Sequence, residues 1–249
     1  MSRIDWSPLR RALRQCRAAG VTPRFWWRDD DAVDVTPALE RLAAMADRLG
    51  LRVHLAVIPA DATDTLATCC RSAPFLPVVH GWAHRDHSGG VNKKNEFQTP
   101  RDGLVGDAER GLDRLRALFG DDLRTMFVPP WNRINDQVIT ALPTLGFTAL
   151  STYGPRRTPE PVPGLTQINT HLDPIDWRGG GALLDENRLV AQAAAHFADR
   201  AAGHTDAAEP YGLLTHHLVH DPAIWAFAVE FMTELQMGGA HHWLMEAQK

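Results

Sequence analysis

The chain alternates between short runs of aromatic or β-branched residues and longer stretches in which apolar residues recur every three or four positions. The short runs are typical of buried strands, and the longer stretches predict helices. Strands separated by helices pair in parallel, so the pattern predicts an α/β fold with a parallel sheet. Seven strands are expected, at 24–28, 52–58, 76–79, 125–128, 147–151, 166–170 and 211–215.

Capping residues mark the ends of the helices. A Thr-Pro pair and a closing Gly50 predict a helix over 37–49, and a leading helix is expected within residues 1–20. Further helices are expected at 102–119, 136–145, 185–201 and 222–237. Because no Ser/Gly-rich linker divides the 249 residues, we expect a single domain over 1–249.

Composition and charge narrow the choice of partners. The net charge of −4 and the pI near 6.3 provide no basic surface for nucleic acid, so nucleic acid is not an expected partner. The chain holds neither a secretory apolar segment nor a membrane-length one, and we therefore expect a cytoplasmic protein that does not bind membranes. The oligomeric state is left open. With only three cysteines, two of them adjacent, a metal site would use His and carboxylate ligands.

Unusual polar residues fall where the predicted strands end. The carboxyl ends of parallel strands in a barrel meet at one rim, and barrel enzymes build their sites there. Segments from distant parts of the sequence are therefore expected to converge on one site. They are Asp29-Asp30-Asp31, His80, Pro129-Pro130-Trp131, His171 with Asp173, and His216.

A metal site is the first interpretation of these residues. His80 and His84 are four residues apart, which lets both imidazoles reach one ion from a single turn. Such a pair is also found as two surface histidines. The repulsion among the three adjacent carboxylates at 29–31 needs a cation, an Arg or solvent to relieve it. Two His and one carboxylate make a facial ligand set with open positions for water and substrate.

The other polar residues suggest acid catalysis and sugar binding. One of His216, His217 and His220 is expected to be a general acid, although the last two could also belong to a loop that caps the next helix. Trp131 and Trp177 lie in Pro-stiffened loops, where an aromatic ring is suited to stacking on a sugar. Packing in the core is the alternative for both.

The order and spacing of these segments resemble the motifs of the polysaccharide deacetylases, the carbohydrate esterase family 4 enzymes, from about Phe25 to His216. His80-x-x-x-His84, the Pro-Pro-aromatic loop and Leu213-x-x-His216 carry the resemblance. It implies a distorted (β/α)7-type barrel. The family has a base and a metal ligand in adjacent Asp residues, which match either Asp29-Asp30 or Asp30-Asp31.

We prefer Asp30 as the base and Asp31 as the ligand, with His80 and His84 completing the metal site and His216 as the acid. The implied cofactor is a divalent ion, Zn²⁺ or a similar one, that polarises the amide carbonyl and lowers the pKa of bound water. By the same resemblance, the substrate-binding residues are Pro130, Trp131, Asn132, His171, Asp173, Trp177 and Leu213.

Two positions depart from the family pattern. Val128 stands where the family usually has the Arg that steadies the base, and Ala32 follows Asp31 where a Gly is usual. Another guanidinium should therefore tune the base. Arg28 is the preferred candidate because strand alternation places it on the same face as Asp30, and Arg133 is its competitor.

The resemblance as a whole implies a metal-dependent hydrolase that removes an N-acetyl or other acyl group from a saccharide amide. Its partner would be a saccharide carrying an N-acetylated sugar. Two alternatives stay open, namely a hydrolase of the same fold that acts on a non-sugar amide, and a carbohydrate-binding protein without turnover.

Overall fold

The structure is a computed structural model that describes residues 4–90 and 93–246. Helices alternate with strands along most of the chain. The helices are α1 (Ser7–Ala18), α2 (Pro37–Leu49), α3 (Asp64–Cys70), α4 (Leu104–Phe119), α5 (Asp136–Leu145), α6 (Glu186–Ala201) and α7 (Pro222–Met237). The strands are β1 (Arg24–Ala32), β2 (Val53–Val57), β3 (Phe75–His80), β4 (Met126–Val128), β5 (Ala149–Leu150), β6 (Thr166–Gln167), β7 (Tyr211–Thr215) and β8 (His241–His242).

The strands form a parallel sheet in the order β6-β5-β4-β3-β2-β1-β7, and β8 pairs with the start of β1. The sheet is curled. Its open side is bridged by hydrogen bonds from the amides of His171 and Leu172 to the carbonyl of Gly212 in β7. This architecture confirms the α/β fold class and the distorted barrel that the sequence predicts.

Strand alternation divides the core into two parts. One face of the sheet packs against the helices, and Trp27, Phe127 and Leu213 belong to this larger cluster. The other face fills the inside of the curled sheet with the smaller cluster of Trp26, Ala56, Val78, Met126, Val128, Ala149 and Ile168. The polar residues of the candidate site lie beyond this inner cluster, at the carboxyl ends of the strands.

The leading helix α1 packs mainly against α6. Its buried residues Leu9, Leu13 and Cys16 recur at helical spacing and form the face that is turned to the other helices. Within the described residues, no helix is long and apolar enough to cross a membrane.

The sequence pattern missed two elements, α3 and β8. The short β8 brings the C-terminal segment to the amino end of the barrel, where Trp243 stacks on His54 with ring centroids 5.5 Å apart. The amide of Met245 donates a hydrogen bond of 3.1 Å to His54 Nε2. The C-terminal segment therefore covers the end of the barrel opposite to the candidate site.

Candidate active site

A β-bulge shapes the acidic triplet. The first strand does not end before the triplet, as the sequence pattern predicted, but continues through it to Ala32. Asp29 pairs with Leu55 and Ala32 pairs with Val57, so two residues of β1, Asp30 and Asp31, lie opposite the single residue Ala56 of β2. Asp31 has a φ of 75°, which breaks the alternation of the strand. Two neighbouring carboxylates can consequently serve the same site.

Asp31, His80 and His84 come together at the carboxyl end of the sheet. The Oδ1 atom of Asp31 lies 3.1 Å from His80 Nε2 and 3.3 Å from His84 Nε2. One ligand atom from each of the three residues lies within 4.8 Å of the others. His80 is buried and its Nδ1 lies 3.0 Å from the Val128 carbonyl, so the Nδ1–H tautomer leaves Nε2 free to bind a cation.

The electrostatics of these three residues favour an ionised carboxylate. Burial acts to raise the pKa of Asp31, but the hydrogen bond from His80 and the nearby imidazoles hold that pKa well below its usual range. Burial acts to lower the pKa of His80, and the carboxylates of Asp30 and Asp31 outweigh it and raise that pKa. Burial together with His80 lowers the pKa of His84. An anionic oxygen thus faces two ring nitrogens.

Arg28 holds Asp30 in a buried fork. Its Nε and one terminal nitrogen donate to the two oxygens of Asp30 at 2.8 and 2.9 Å. The remaining donors reach the Oγ of Ser151 and the Oδ1 of Asn132, both at 2.7 Å. Arg28 is fully buried and Asp30 is 3% exposed. The structure thus shows a guanidinium beside Asp30, although the side chain at position 128 is a Val.

Arg133 does not take part in this contact. One of its terminal nitrogens donates to the backbone carbonyl of Lys94 at 2.5 Å. Of the two candidates for tuning the base, Arg28 therefore lies beside the triplet, and the Arg133 side chain contacts the loop that precedes α4. Ser151, at the end of the strand predicted at 147–151, was not among the expected site residues, because a single Ser carries no motif signal.

Asp29 belongs to a separate buried pair behind the site. Its carboxylate accepts hydrogen bonds from the Thr215 hydroxyl at 2.6 Å and from the His217 amide at 3.1 Å, and it lies 2.5 Å from His217 Nδ1. Both residues of the pair are buried. Because its oxygens are engaged in this way, Asp29 is directed away from the three potential ligands.

His216 lies at the end of β7, on the rim. Its ring packs edge-on against Trp177 with centroids 4.8 Å apart. The Nδ1 of His216 is buried and has no hydrogen-bond partner within the described residues. Its backbone amide donates to His220 Nε2 at 3.1 Å, so His220 supports the loop. Trp177 is 56% exposed.

Asp173 fixes the indole ring of Trp177. Its Oδ2 accepts a hydrogen bond of 2.8 Å from the indole Nε1 of Trp177, and its Oδ1 accepts one from the amide of Ile175. Burial raises the pKa of Asp173 even though His216 acts to lower it. Both Asp173 and His216 contact the Trp177 ring.

The Pro-Pro-Trp loop approaches the metal-ligand candidates from the fourth strand. Trp131 and Asn132 both have positive φ angles, of 56° and 57°. The ring of Trp131 packs against His84 with centroids 4.3 Å apart, and Asn132 contacts Arg28. Pro130 is buried. Its ring packs inside the loop, and because proline has no backbone N–H it cannot donate a hydrogen bond to a substrate.

Backbone strain is concentrated at this rim. In the described part of the chain, the residues other than Gly with positive φ are Asp31, His84, Trp131 and Asn132. Each such residue costs on the order of 1–3 kcal/mol, and strain of this kind is typical of functional sites. Asp31 and His84 contact each other, Trp131 contacts His84, and Asn132 contacts Arg28.

Two of the expected substrate contacts are not made by the predicted side chains. His171 is buried, its Nδ1 accepts from the Gly212 amide at 3.0 Å, and its Nε2 lies 3.3 Å from Glu209. Both ring nitrogens are thus used inside the protein. The prediction that the His171 side chain binds substrate is therefore wrong.

Leu213 is the second correction. It is fully buried in the cluster between the sheet and the helices, and it pairs in register with Trp27. Because successive strand residues face opposite sides, Leu214 and His216 share the inner face, beside Arg28. Leu214, rather than Leu213, therefore lies on the face that carries Arg28, and alternation along β7 was the signal that could have distinguished the two.

Comparisons with known proteins bear on the fold. No family model matches the chain, and no curated protein matches it. A family 4 carbohydrate esterase from Streptomyces lividans matches with a TM-score of 0.54 at 13% identity, over 90% of this chain and 93% of that one. A family 4 acetyl xylan esterase from Clostridium thermocellum, in complex with a cobalt ion, has a TM-score of 0.54 at 12% identity, over 88% and 87% of the two chains.

A family 4 pseudoenzyme from Bacillus anthracis is also similar, with a TM-score of 0.55 at 12% identity. The match covers 89% of this chain and 64% of that one. Enzymes and a pseudoenzyme thus have the same architecture, and identities this low carry information on the fold alone. The resemblance seen in the sequence is confirmed at that level: the chain shares the fold of the polysaccharide deacetylases and family 4 carbohydrate esterases.

Proposed function

We propose that this protein is a metal-dependent hydrolase that removes an N-acetyl group from a saccharide amide. One observation carries the proposal, namely that the Nε2 atoms of His80 and His84 converge on the same carboxylate oxygen of Asp31. Two imidazoles and a carboxylate are a common set for a catalytic Zn²⁺ or a similar divalent ion, and they leave positions open for water and substrate.

The donor set fits such an ion. The Val128 carbonyl accepts from His80 Nδ1, which fixes the tautomer, and Asp31 is held in its ionised form. When bound, a divalent ion supplies Lewis-acid polarisation of the acyl carbonyl and a lowered pKa for water. A cobalt ion is bound in the acetyl xylan esterase of similar fold. We extend this property to the present chain because of its ligand geometry.

Asp30 is the general base. The Arg28 fork fixes both of its oxygens at the end of the inner face, next to Asp31. A carboxylate held by two parallel charge-assisted hydrogen bonds has a fixed orientation, which proton transfer requires. Asp30 accepts a proton from the attacking water as the water oxygen bonds to the acyl carbon.

The backbone at Trp131 stabilises the oxyanion of the tetrahedral intermediate. Within the 130–132 loop, Pro130 has no N–H and the Asn132 amide donates to the Pro129 carbonyl at 2.9 Å. The Trp131 amide is the remaining donor of this loop. A backbone N–H directed at a developing oxyanion is a strong contribution to catalysis.

His216 is the general acid. Two observations support this role: the His216 ring packs against Trp177, and its Nδ1 has no hydrogen-bond partner within the described residues. It donates a proton to the departing nitrogen as the C–N bond breaks, which gives acetate and a free amino sugar. Trp177, exposed and fixed by Asp173, offers a flat surface for a sugar ring.

Acetate release from a panel of substrates tests this function. The panel contains N-acetylated chito-oligosaccharides, an O-acetylated xylo-oligosaccharide and a non-sugar N-acetyl amide, each with metal-stripped protein and with added Zn²⁺. We expect Zn²⁺-dependent release from the N-acetylated saccharides. Preferential acetate release from the non-sugar amide would show that the substrate belongs to another class. Saccharide binding without acetate release from any substrate would indicate a carbohydrate-binding protein without turnover.

A further inference from the structure

A buried carboxylate holds the turn that carries His84. Glu96 is 1% exposed. Its oxygens accept hydrogen bonds from the backbone amides of Trp82 at 3.2 Å, Ala83 at 2.8 Å and Arg85 at 3.5 Å. Successive amides that converge on one anion form a nest, and bonds to an ionised acceptor are stronger than neutral ones. The amides lie on both sides of His84 in the chain.

The turn needs such support because its backbone is unusual. His84 has a φ of 52° and Gly81 one of 59°, both in the left-handed region. This bend brings His84 back towards His80, so that both Nε2 atoms reach Asp31. Without the nest, the unpaired amides would favour a different path for the turn.

Gly81 is part of the same arrangement. A Cβ at Gly81 would lie 2.3 Å from an oxygen of Glu96 and 2.5 Å from the Cδ of Pro130. The carboxylate can approach the turn this closely because Gly81 has no side chain. His80, the nest and the Pro130 loop are therefore packed together without intervening space.

Glu96 is itself anchored in the fold. The following residue, Phe97, is fully buried and packs edge-on against Phe127 of β4 at 5.0 Å. The side-chain oxygen of Asn95 accepts from the amides of Gln98 and Thr99. The carboxylate is thus fixed to the sheet on one side and to the metal-ligand turn on the other.

From this geometry we propose that Glu96 is a positioning residue for the metal site, which sets the affinity for the ion by fixing the turn that carries His84. The inference rests on the metal site of the proposed function. Glu96 is not assigned as a ligand, since both of its oxygens already accept backbone hydrogen bonds.

The test is the Zn²⁺ affinity of Glu96→Gln, measured by competition with a chromophoric chelator. The amide side chain keeps the shape but directs an NH₂ group at a backbone N–H and loses the charge. We expect affinity to fall by about tenfold to a hundredfold, the effect typical of residues that orient metal ligands. Glu96→Asp, which keeps the charge and shortens the reach, is the second variant.

Glu209→Gln is a matched control. Glu209 is also buried, and it also accepts from two backbone amides, those of Arg156 and Asn169 at 3.1 and 3.0 Å. It supports a different loop, so its replacement should leave Zn²⁺ affinity unchanged. An equal fall in Glu209→Gln would mean that general destabilisation is the cause, and the positioning role would be lost.

A second readout uses the metal-free protein. Hydrogen exchange of the amides of Trp82, Ala83 and Arg85 should quicken at least about tenfold in Glu96→Gln, and the β7 amides should not change. Unchanged exchange or unchanged Zn²⁺ affinity in both Glu96 variants would overturn the inference. If the wild-type protein binds no divalent ion, the proposed function fails instead, and the exchange result still reports on the nest.

Discussion

Arg28 and Asp30 lie two residues apart on one strand and form two parallel hydrogen bonds, at 2.8 and 2.9 Å, that are shielded from solvent. The guanidinium beside Asp30 therefore comes from β1, whereas position 128 on β4 holds a Val. Arg28 also donates to Ser151 and Asn132, so one side chain joins three segments of the rim.

The first prediction concerns the stability that this pair provides. Arg28→Met leaves the carboxylate of Asp30 buried without its partner, which should lower the free energy of unfolding by about 3–5 kcal/mol. Urea denaturation measures the loss. The double variant Arg28→Met/Asp30→Asn removes the uncompensated charge and should recover a large part of it.

Arg133→Met is the control for this experiment because its guanidinium contacts a backbone carbonyl on another loop. It should change stability far less than Arg28→Met. Equal losses in the two single variants, or no recovery in the double variant, would show that the buried pair does not account for the effect.

The second prediction separates the acid from the metal ligands. His216→Ala should keep its full content of metal and lower kcat by about 10²- to 10⁴-fold, the usual contribution of a general acid. Metal analysis of the purified variant and steady-state acetate release provide the two measurements. Loss of the metal would make His216 a ligand, and an unchanged kcat would remove it from the mechanism.

The third prediction is a pH dependence of stability caused by His54. Burial lowers the pKa of His54 to about 3 from the ordinary value of 6.5. The unfolded chain therefore takes up a proton that the folded state excludes. The stability that neutral His54 provides is complete above pH 6.5 and is lost as the pH falls towards 3.

The measurement compares wild type with His54→Leu. Each such proton contributes a slope of about 1.4 kcal/mol per pH unit, so between neutral pH and about pH 5 the wild type should lose roughly 2 kcal/mol more than the variant. His87→Leu, on an exposed position, should follow the wild type. Parallel pH profiles for His54→Leu and wild type would contradict the burial argument.

Much of the fold could be predicted because hydrophobic periodicity is a local signal. The alternation of apolar runs indicated the strands and the helices between them. Because barrel enzymes build their sites at the carboxyl ends of the strands, the polar residues at those ends indicated where the site lies. Alternation also indicated that Arg28 faces Asp30, and the structure shows that contact.

The parts that could not be predicted depend on contacts distant in sequence. The bulge gives Asp31 a positive φ, and because Asp29 and Asp30 have the same intrinsic propensity, no local signal singles out Asp31. His171 directly follows the strand predicted at 166–170, yet both of its ring nitrogens are engaged by Glu209 and by the Gly212 amide inside the protein. Leu213 was selected from a motif, whereas alternation along β7 favours Leu214.

Metal dependence is tested by a Zn²⁺ titration of metal-stripped protein, followed by acetate release from the preferred N-acetylated saccharide. We expect no release without metal and a rise that levels off at about one ion per chain, because within the described residues one group of potential ligands, Asp31, His80 and His84, is proposed to hold the ion. His87→Ala should give the same curve, and His84→Ala should stay near zero. Acetate release that persists in the stripped protein, or an unaltered titration in His84→Ala, would contradict this expectation.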